Sequence, residues 1–82
     1  MIIKYFAWLK DITKIEDEEI LDNKIKDINT LKEYLSKKYP KLEKYFKEDS
    51  LIRVAINLEY TVNNNKISSK DEIALFPPVS GG

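Results

Sequence analysis

One segment of substantial length repeats its apolar residues at helical spacing. Leu31, Tyr34, Leu35 and Tyr39 fall at i, i+3, i+4 and i+8, one face of an amphipathic helix. Thr30 and Glu33 read as its capping box, the threonine hydroxyl accepting from the Glu33 amide while the Glu33 side chain reaches back. Pro40 stops it, because proline lacks an N–H and disfavours a helical predecessor. One such helix cannot bury its stripe by itself and has to lie on a sheet. The sheet is written in segments of period two. Ile3, Tyr5 and Ala7 alternate with Ile2, Lys4 and Phe6. From Leu51 to Leu58, Ile52, Val54 and Ile56 point one way and Arg53, Ala55 and Asn57 the other. Ile67, and then Ile73 to Phe76, give further short strands. Trp8 to Lys14 reads as a short helical turn, and Glu16 to Glu19 lead into a second strand through Ile20, Leu21 and Ile25. Leu42, Tyr45 and Phe46 predict another short helix. Asn63-Asn64-Asn65 predicts a turn, since asparagine tolerates the left-handed conformation.

The resulting order is strand, strand, helix, strand, short strand, strand. A C-terminal strand pairing beside the first makes an α+β fold, a mixed sheet packed on one main helix, which is the outline of a β-grasp domain. With 82 residues the chain has room for one core. The expected division is a folded domain over 1–76 and an extended tail over 77–82. Acids and bases balance at 14 each. That balance removes the field needed for non-specific nucleic-acid or anionic-membrane binding, so neither is expected as a partner. The apolar runs are far too short for a membrane span, and Met1 to Phe6 reads as a strand and not as a signal peptide, so the expected location is cytoplasmic.

The sequence contains no cysteine and no histidine. Thiolate nucleophiles, disulfides, thiolate metal sites and imidazole bases are therefore excluded, and no constellation resembles a free-standing enzyme. Covalent chemistry is left to carboxylates, lysines, hydroxyls or a chain terminus. The chain closes Phe76-Pro77-Pro78-Val79-Ser80-Gly81-Gly82, and its two glycines are the last two residues. A frayed, small-residue terminus is one reading. The other is functional. Pro77-Pro78 ends the last strand and projects the remaining residues away from the body, and the five residues after Pro77 span about 16 Å when extended. A Gly-Gly end, without Cβ atoms, threads a slot closed to other dipeptides. Its carboxylate, with a pKa of about 3.3–3.7, is ionised at neutral pH and able to attack an α-phosphate.

The ending Phe-Pro-Pro-Val-Ser-Gly-Gly resembles the signature terminus of the small, sulfur-carrying subunits of molybdopterin synthase, members of the ubiquitin-like family. Three internal segments are similar to that family as well: Tyr5 to Asp11, Thr30 to Leu35 and Val54 to Tyr60. Asp71 to Pro78 resembles its last strand. Lys10 stands where the family usually has arginine, and Lys70 where glycine is common. The resemblance implies that a ubiquitin-activating-like adenylyltransferase, using ATP and magnesium, adenylates Gly82. A sulfur donor then converts it to a thiocarboxylate. It further implies that Val79, Ser80 and Gly81 thread the tail into the large synthase subunit of a heterotetramer. There sulfur passes to cyclic pyranopterin monophosphate to form the dithiolene of molybdopterin. No cofactor is expected on this chain itself. Two readings stay beside this one: a sulfur carrier for thiamine thiazole synthesis, and a ubiquitin-like modifier or tRNA-thiolation carrier.

Period-two counting places Phe6, Ala55, Ala74 and Phe76 on the sheet face opposite Ile3, Tyr5, Val54, Ile56, Ile73 and Leu75. Lys4, Arg53 and Glu72 share that outer face. Two phenylalanines beside small alanines form a flat apolar patch with a charged rim, the composition of a protein interface. With Pro77 and Pro78 it is the expected partner surface, and the resemblance implies contacts at Phe6 and Phe76. Asp17-Glu18-Glu19 reads as a solvated approach to the second strand. Lys37, Lys38, Lys41, Lys44 and Lys47 read as solvated helix faces, and Trp8 as packing.

Overall fold

In the computed structural model, which describes residues 1–47 and 51–78, the inward residues of each alternating segment meet beneath a helix. Strand β1 spans Ile2–Tyr5, helix α1 Trp8–Thr13 and strand β2 Asp17–Glu19. Helix α2 runs Ile28–Lys38, and a 3-10 turn over Pro40–Leu42 leads into α3, Glu43–Lys47. Strands β3, Arg53–Ile56, β4, Glu59–Thr61, and β5, Glu72–Phe76, complete the described residues. The sheet order is β2-β1-β5-β3-β4. β1 and β5 are parallel, and every other neighbouring pair is antiparallel. This is the α+β, β-grasp arrangement that the sequence predicts.

The core confirms the face assignment. Ile3, Tyr5, Val54, Ile73 and Leu75 are buried against Leu31 and Leu35 of α2, with Leu9 and Leu42 filling the ends. Burying one such large aliphatic side chain contributes about 1.5–3 kcal/mol. Ile56, expected in this set, is half-buried and packs against it, as do Tyr34 and Tyr39. Trp8 packs as expected, its ring 4.8 Å from that of Tyr45.

Five local expectations change. The second strand is not Ile20, Leu21 and Ile25 but the acidic run itself, registered Ile2↔Glu19, Ile3↔Glu18 and Lys4↔Asp17. An edge strand needs only one inward side chain, and here that residue is Glu18. Ile20 follows the strand and is buried, whereas Leu21 is exposed. The helix starts a turn earlier than Thr30. Asp27 is its N-cap, its carboxylate accepting from the Thr30 amide at 2.8 Å while the Thr30 hydroxyl accepts from the Asp27 amide at 3.0 Å. The strand expected over Leu51–Leu58 stops at Ile56. Asn57 and Leu58, at φ 50° and 71°, turn the chain directly into β4. In this part of the chain the positive-φ residues are thus Asn57 and Leu58, not the asparagines at 63–65. Those asparagines serve the helix start: Asn64 Oδ1 accepts from the Asn29 amide at 2.8 Å, and the Asn65 carbonyl accepts from the Ile28 amide. Ile67 is buried but belongs to no strand, and its neighbour Lys66 makes a lone bridge to Asp27.

Candidate functional site

β5 is the strand on which the site is built. It lies between β1 and β3, so its backbone is paired on both edges. Its alternate residues Ile73 and Leu75 are buried, which turns Glu72, Ala74 and Phe76 to the other face. The register then gathers the outer set. Ala55 opposes Ala74 and Arg53 opposes Phe76 across β3 and β5, while Lys4 opposes Ala74 across β1 and β5. Paired alanines leave the middle of the face flat. Phe6 continues β1, its amide donating to the Leu75 carbonyl at 3.1 Å, and its side chain is 46% exposed. Immediately after it, Ala7 has φ 54° and ψ −133°, a backbone region that favours glycine. That turn separates the outward Phe6 from the inward Trp8. Pro77 and Pro78 are half-buried where the chain leaves β5.

The structure adds a residue that sequence reasoning missed. Tyr60 sits opposite Ala55 on β4. Its ring lies 6.4 Å from that of Phe76, and its hydroxyl accepts from Arg53 Nη1 at 2.7 Å. The signal was the β-prone run Tyr60-Thr61-Val62, hidden because the alternation of the preceding strand continues through the turn at Asn57-Leu58. The rim is polar as expected: Lys4 Nζ lies 3.5 Å from Glu72 Oε1. Phe6, Ala55, Ala74, Phe76, Arg53, Tyr60, Pro77 and Pro78 thus form one continuous surface at the end of the sheet where the tail begins. Val79, Ser80, Gly81 and Gly82, the expected threading segment and reacting terminus, lie outside the described residues.

Two hydrogen-bonded clusters brace the frame around this face. At the start of β5, Asp71 accepts from Asn57 Nδ2 at 2.9 Å and from the Ser68 amide at 2.7 Å, and these bonds hold its carboxyl below the ordinary range. Asn57 in turn accepts from the Glu72 amide, which ties the β3–β4 turn to β5. On the other side of β1, Glu18 turns inward instead of being solvated, with its side chain 12% exposed. Its carboxylate accepts from the Tyr5 and Tyr39 hydroxyls, each at 2.6 Å, and from Lys38 Nζ. Burial opposes ionisation of Glu18, but the donors Lys38, Tyr39 and Tyr5 outweigh it and hold the carboxyl below its usual pKa. Burial, followed by the bond to Glu18, pushes both phenols up. The bond to Glu18 also raises Lys38, which stays on the exposed face of the helix as expected while its ammonium reaches the cluster. Among the described residues, no three His, Cys, Asp or Glu side chains gather as a metal site, and no helix is long and apolar enough to cross a membrane.

The ThiS family model matches residues 3–82. The molybdopterin synthase sulfur carrier subunit of Arabidopsis thaliana is 32% identical over 80 residues, covering 94% of this chain and 77% of that protein. Molybdopterin converting factor subunit 1 of Pyrococcus furiosus superposes with a TM-score of 0.82 at 25% identity, over 95% of each chain. Small archaeal modifier protein 1 of Methanosarcina acetivorans gives 0.77 at 25% identity, over 99% of this chain and 94% of that one. A complex of subunits 1 and 2 of molybdopterin-converting factor from Helicobacter pylori contains a chain that aligns at 0.65 and 26% identity, over 99% of this chain and 96% of that one. With the family model spanning nearly the whole sequence and a relative at this identity, the chain belongs to the ThiS family, the β-grasp sulfur carriers that include molybdopterin synthase small subunits.

Proposed function

We propose that this chain is the sulfur-carrying small subunit of a molybdopterin synthase, and that the Gly82 carboxylate is its reacting group. The observation that carries the reading is that the family match runs through residue 82 and so includes the Gly-Gly end. The flat face leading into Phe76-Pro77-Pro78 supports it, because a carrier needs a docking surface at the root of its tail. The Helicobacter pylori complex of subunits 1 and 2 supports a second subunit as the partner.

The cycle has three steps. Within an activating enzyme that holds ATP and magnesium, a Gly82 carboxylate oxygen attacks the α-phosphorus and displaces pyrophosphate, leaving an acyl adenylate. Hydrosulfide released by a sulfur donor attacks the activated carbonyl and displaces AMP, which leaves a thiocarboxylate. In the large subunit the sulfur passes to cyclic pyranopterin monophosphate, and after two such transfers the dithiolene of molybdopterin is complete. This chain contributes the reacting atom, the tail that delivers it and the face that aligns the tail. The acid–base groups belong to the partners, and the site of action is the cytoplasm.

The likeness to small archaeal modifier protein 1 favours a second reading, a modifier joined through Gly82 to lysines of other proteins. One experiment separates the two. The chain is incubated with a cognate activating enzyme, ATP and a sulfur source, and its intact mass is measured. Replacement of one oxygen by sulfur at Gly82, followed by molybdopterin formation with the large subunit, is the expected result. Lysine-linked adducts without a thiocarboxylate would replace the carrier reading with the modifier.

A further inference from the structure

The outer face carries two described cations, and they are not equivalent. Lys4 is neutralised by Glu72 at 3.5 Å. Arg53 opposes Phe76, the last residue of β5 before the two prolines, and among the described residues no carboxylate lies within ion-pairing distance of it. Its Nη1 donates to the Tyr60 hydroxyl at 2.7 Å, and its guanidinium carbon lies 5.9 Å from the centre of the Tyr60 ring. Tyr60 is itself set against Phe76. The guanidinium is therefore held in place at the root of the tail. A guanidinium has five N–H donors, so most of its fork stays available after the bond to Tyr60.

We propose that Arg53 is a specificity contact of the docking face, recognising a carboxylate on the rim of the partner's tail slot, with Tyr60 as the residue that positions it. The proposal rests on the carrier reading, because it needs a protein partner seated on this face. A cation covered by an apolar interface loses its water, and an opposing charge with matching hydrogen bonds is what makes that burial tolerable. A carboxylate matches the planar fork through two parallel bonds. The reacting phosphate is the wrong anion for this place. Gly82 is the sixth residue after Phe76, and an extended chain of that length reaches about 20 Å, well beyond an arginine side chain. The anion that meets Arg53 is therefore a side chain at the mouth of the slot.

The test measures affinity of the full chain for the cognate large subunit at low and high salt, for wild type, Arg53→Met, Arg53→Lys, Arg53→Glu and Tyr60→Phe. Phe76→Lys serves as a control for the face, and thermal unfolding checks each variant's fold. Expected are losses of about thirtyfold or more for Arg53→Met, greater for Arg53→Glu, and a flatter salt dependence once the charge is gone. Arg53→Lys should keep the salt dependence yet lose affinity, since lysine lacks the fork. Reversal of one acidic rim residue on the partner should restore binding to Arg53→Glu. Binding of Arg53→Met and Arg53→Glu within about threefold of wild type, while Phe76→Lys is disrupted, would overturn the proposal and leave the carrier reading intact. Weakened binding with an unchanged salt dependence would also overturn it, because the arginine stem would then act by packing alone. No binding by wild type would overturn both.

Discussion

Glu18 offers the sharpest check on how this small frame is held together. Its carboxylate joins edge strand β2 to β1 through Tyr5 and to the C-terminal end of α2 through Lys38 and Tyr39. Tyr5 is 1% exposed, so its hydroxyl has no ready exchange with water if the acceptor is lost. Glu18→Ala should therefore destabilise the fold by about 2–4 kcal/mol, the cost of stranding a buried donor and discarding charge-assisted bonds. Glu18→Gln keeps the shape and one acceptor for the phenols but presents an amide to Lys38, and should cost about 1–2 kcal/mol. The pH dependence carries the signature. The folded pKa of Glu18 lies below its ordinary value, so its contribution is present above the unfolded pKa, about 4.3, and is lost as pH falls through the folded value. Urea unfolding of wild type and Glu18→Gln, from about pH 7 down to about pH 3, should show a gap that is constant above about pH 5.5 and narrows below. The phenols act at the other end: with Tyr5 raised by burial and by Glu18, stability should decline only above about pH 10. A gap between the two proteins that stays constant across that whole range would refute the reasoning, since ionised Glu18 would then not be what stabilises the cluster.

Leu58 stands at φ 71° with 88% of its surface exposed, so Leu58→Gly removes left-handed strain without uncovering a core. After the entropy cost of glycine, a gain of about 0.5–1 kcal/mol should appear as a higher denaturation midpoint. Phe6→Lys and Phe76→Lys should each weaken binding to the large subunit by about 2–4 kcal/mol while circular dichroism reports an intact fold; loss of folding in both would contradict the outward placement. Deleting Gly82 keeps a terminal carboxylate but withdraws it by about 3.3 Å, and reaction geometry that tolerates only about 1 Å should cost sulfur transfer far more than affinity. Undiminished molybdopterin formation from the truncated, thiolated protein would remove Gly82 from the role proposed for it.

The parts of the fold that sequence exposed are those where one rule acts alone. Period-two alternation separates Ile73 and Leu75 from Ala74 and Phe76, since a strand buried on one face has a single register compatible with its pattern. Strand β2 stayed hidden because its inward residue is a glutamate, and the donors that make this tolerable come from residues 13, 20 and 21 positions away. The β3–β4 turn was missed because it uses Asn57-Leu58 where asparagine-glycine would be the strong signal. Overlooking that turn also concealed Tyr60. The helix start shifted because Thr30 is bonded as the third helical residue, not as the cap, and aspartate at 27 fills the cap equally well. The resemblance alone identified the tail, whose residues 79–82 lie outside the described residues.

Placing the tail on β5 has a mechanical consequence. β5 is the middle strand, hydrogen-bonded to β1 on one edge and β3 on the other, with Ile73 and Leu75 fully buried under the main helix. An edge strand such as β2 or β4 can fray through one set of bonds, whereas moving β5 requires breaking two ladders and opening the core. Phe76 is thus fixed relative to the outer face it belongs to, and Pro77 and Pro78 restrict the direction in which the chain departs. In the proposed carrier, docking through Phe6, Tyr60 and Phe76 would determine where the tail starts, leaving the six residues after Phe76 to determine where it ends. Two partners that bind the same face with the same chain can receive the terminus at similar depth, so one carrier can serve an activating enzyme and a synthase in turn. Under the proposed carrier reading, with both partners seated on that face, the two complexes exclude each other. An excess of large subunit should therefore inhibit adenylation of Gly82 competitively, and persistence of full adenylation under saturating large subunit would show that the activating enzyme uses another surface.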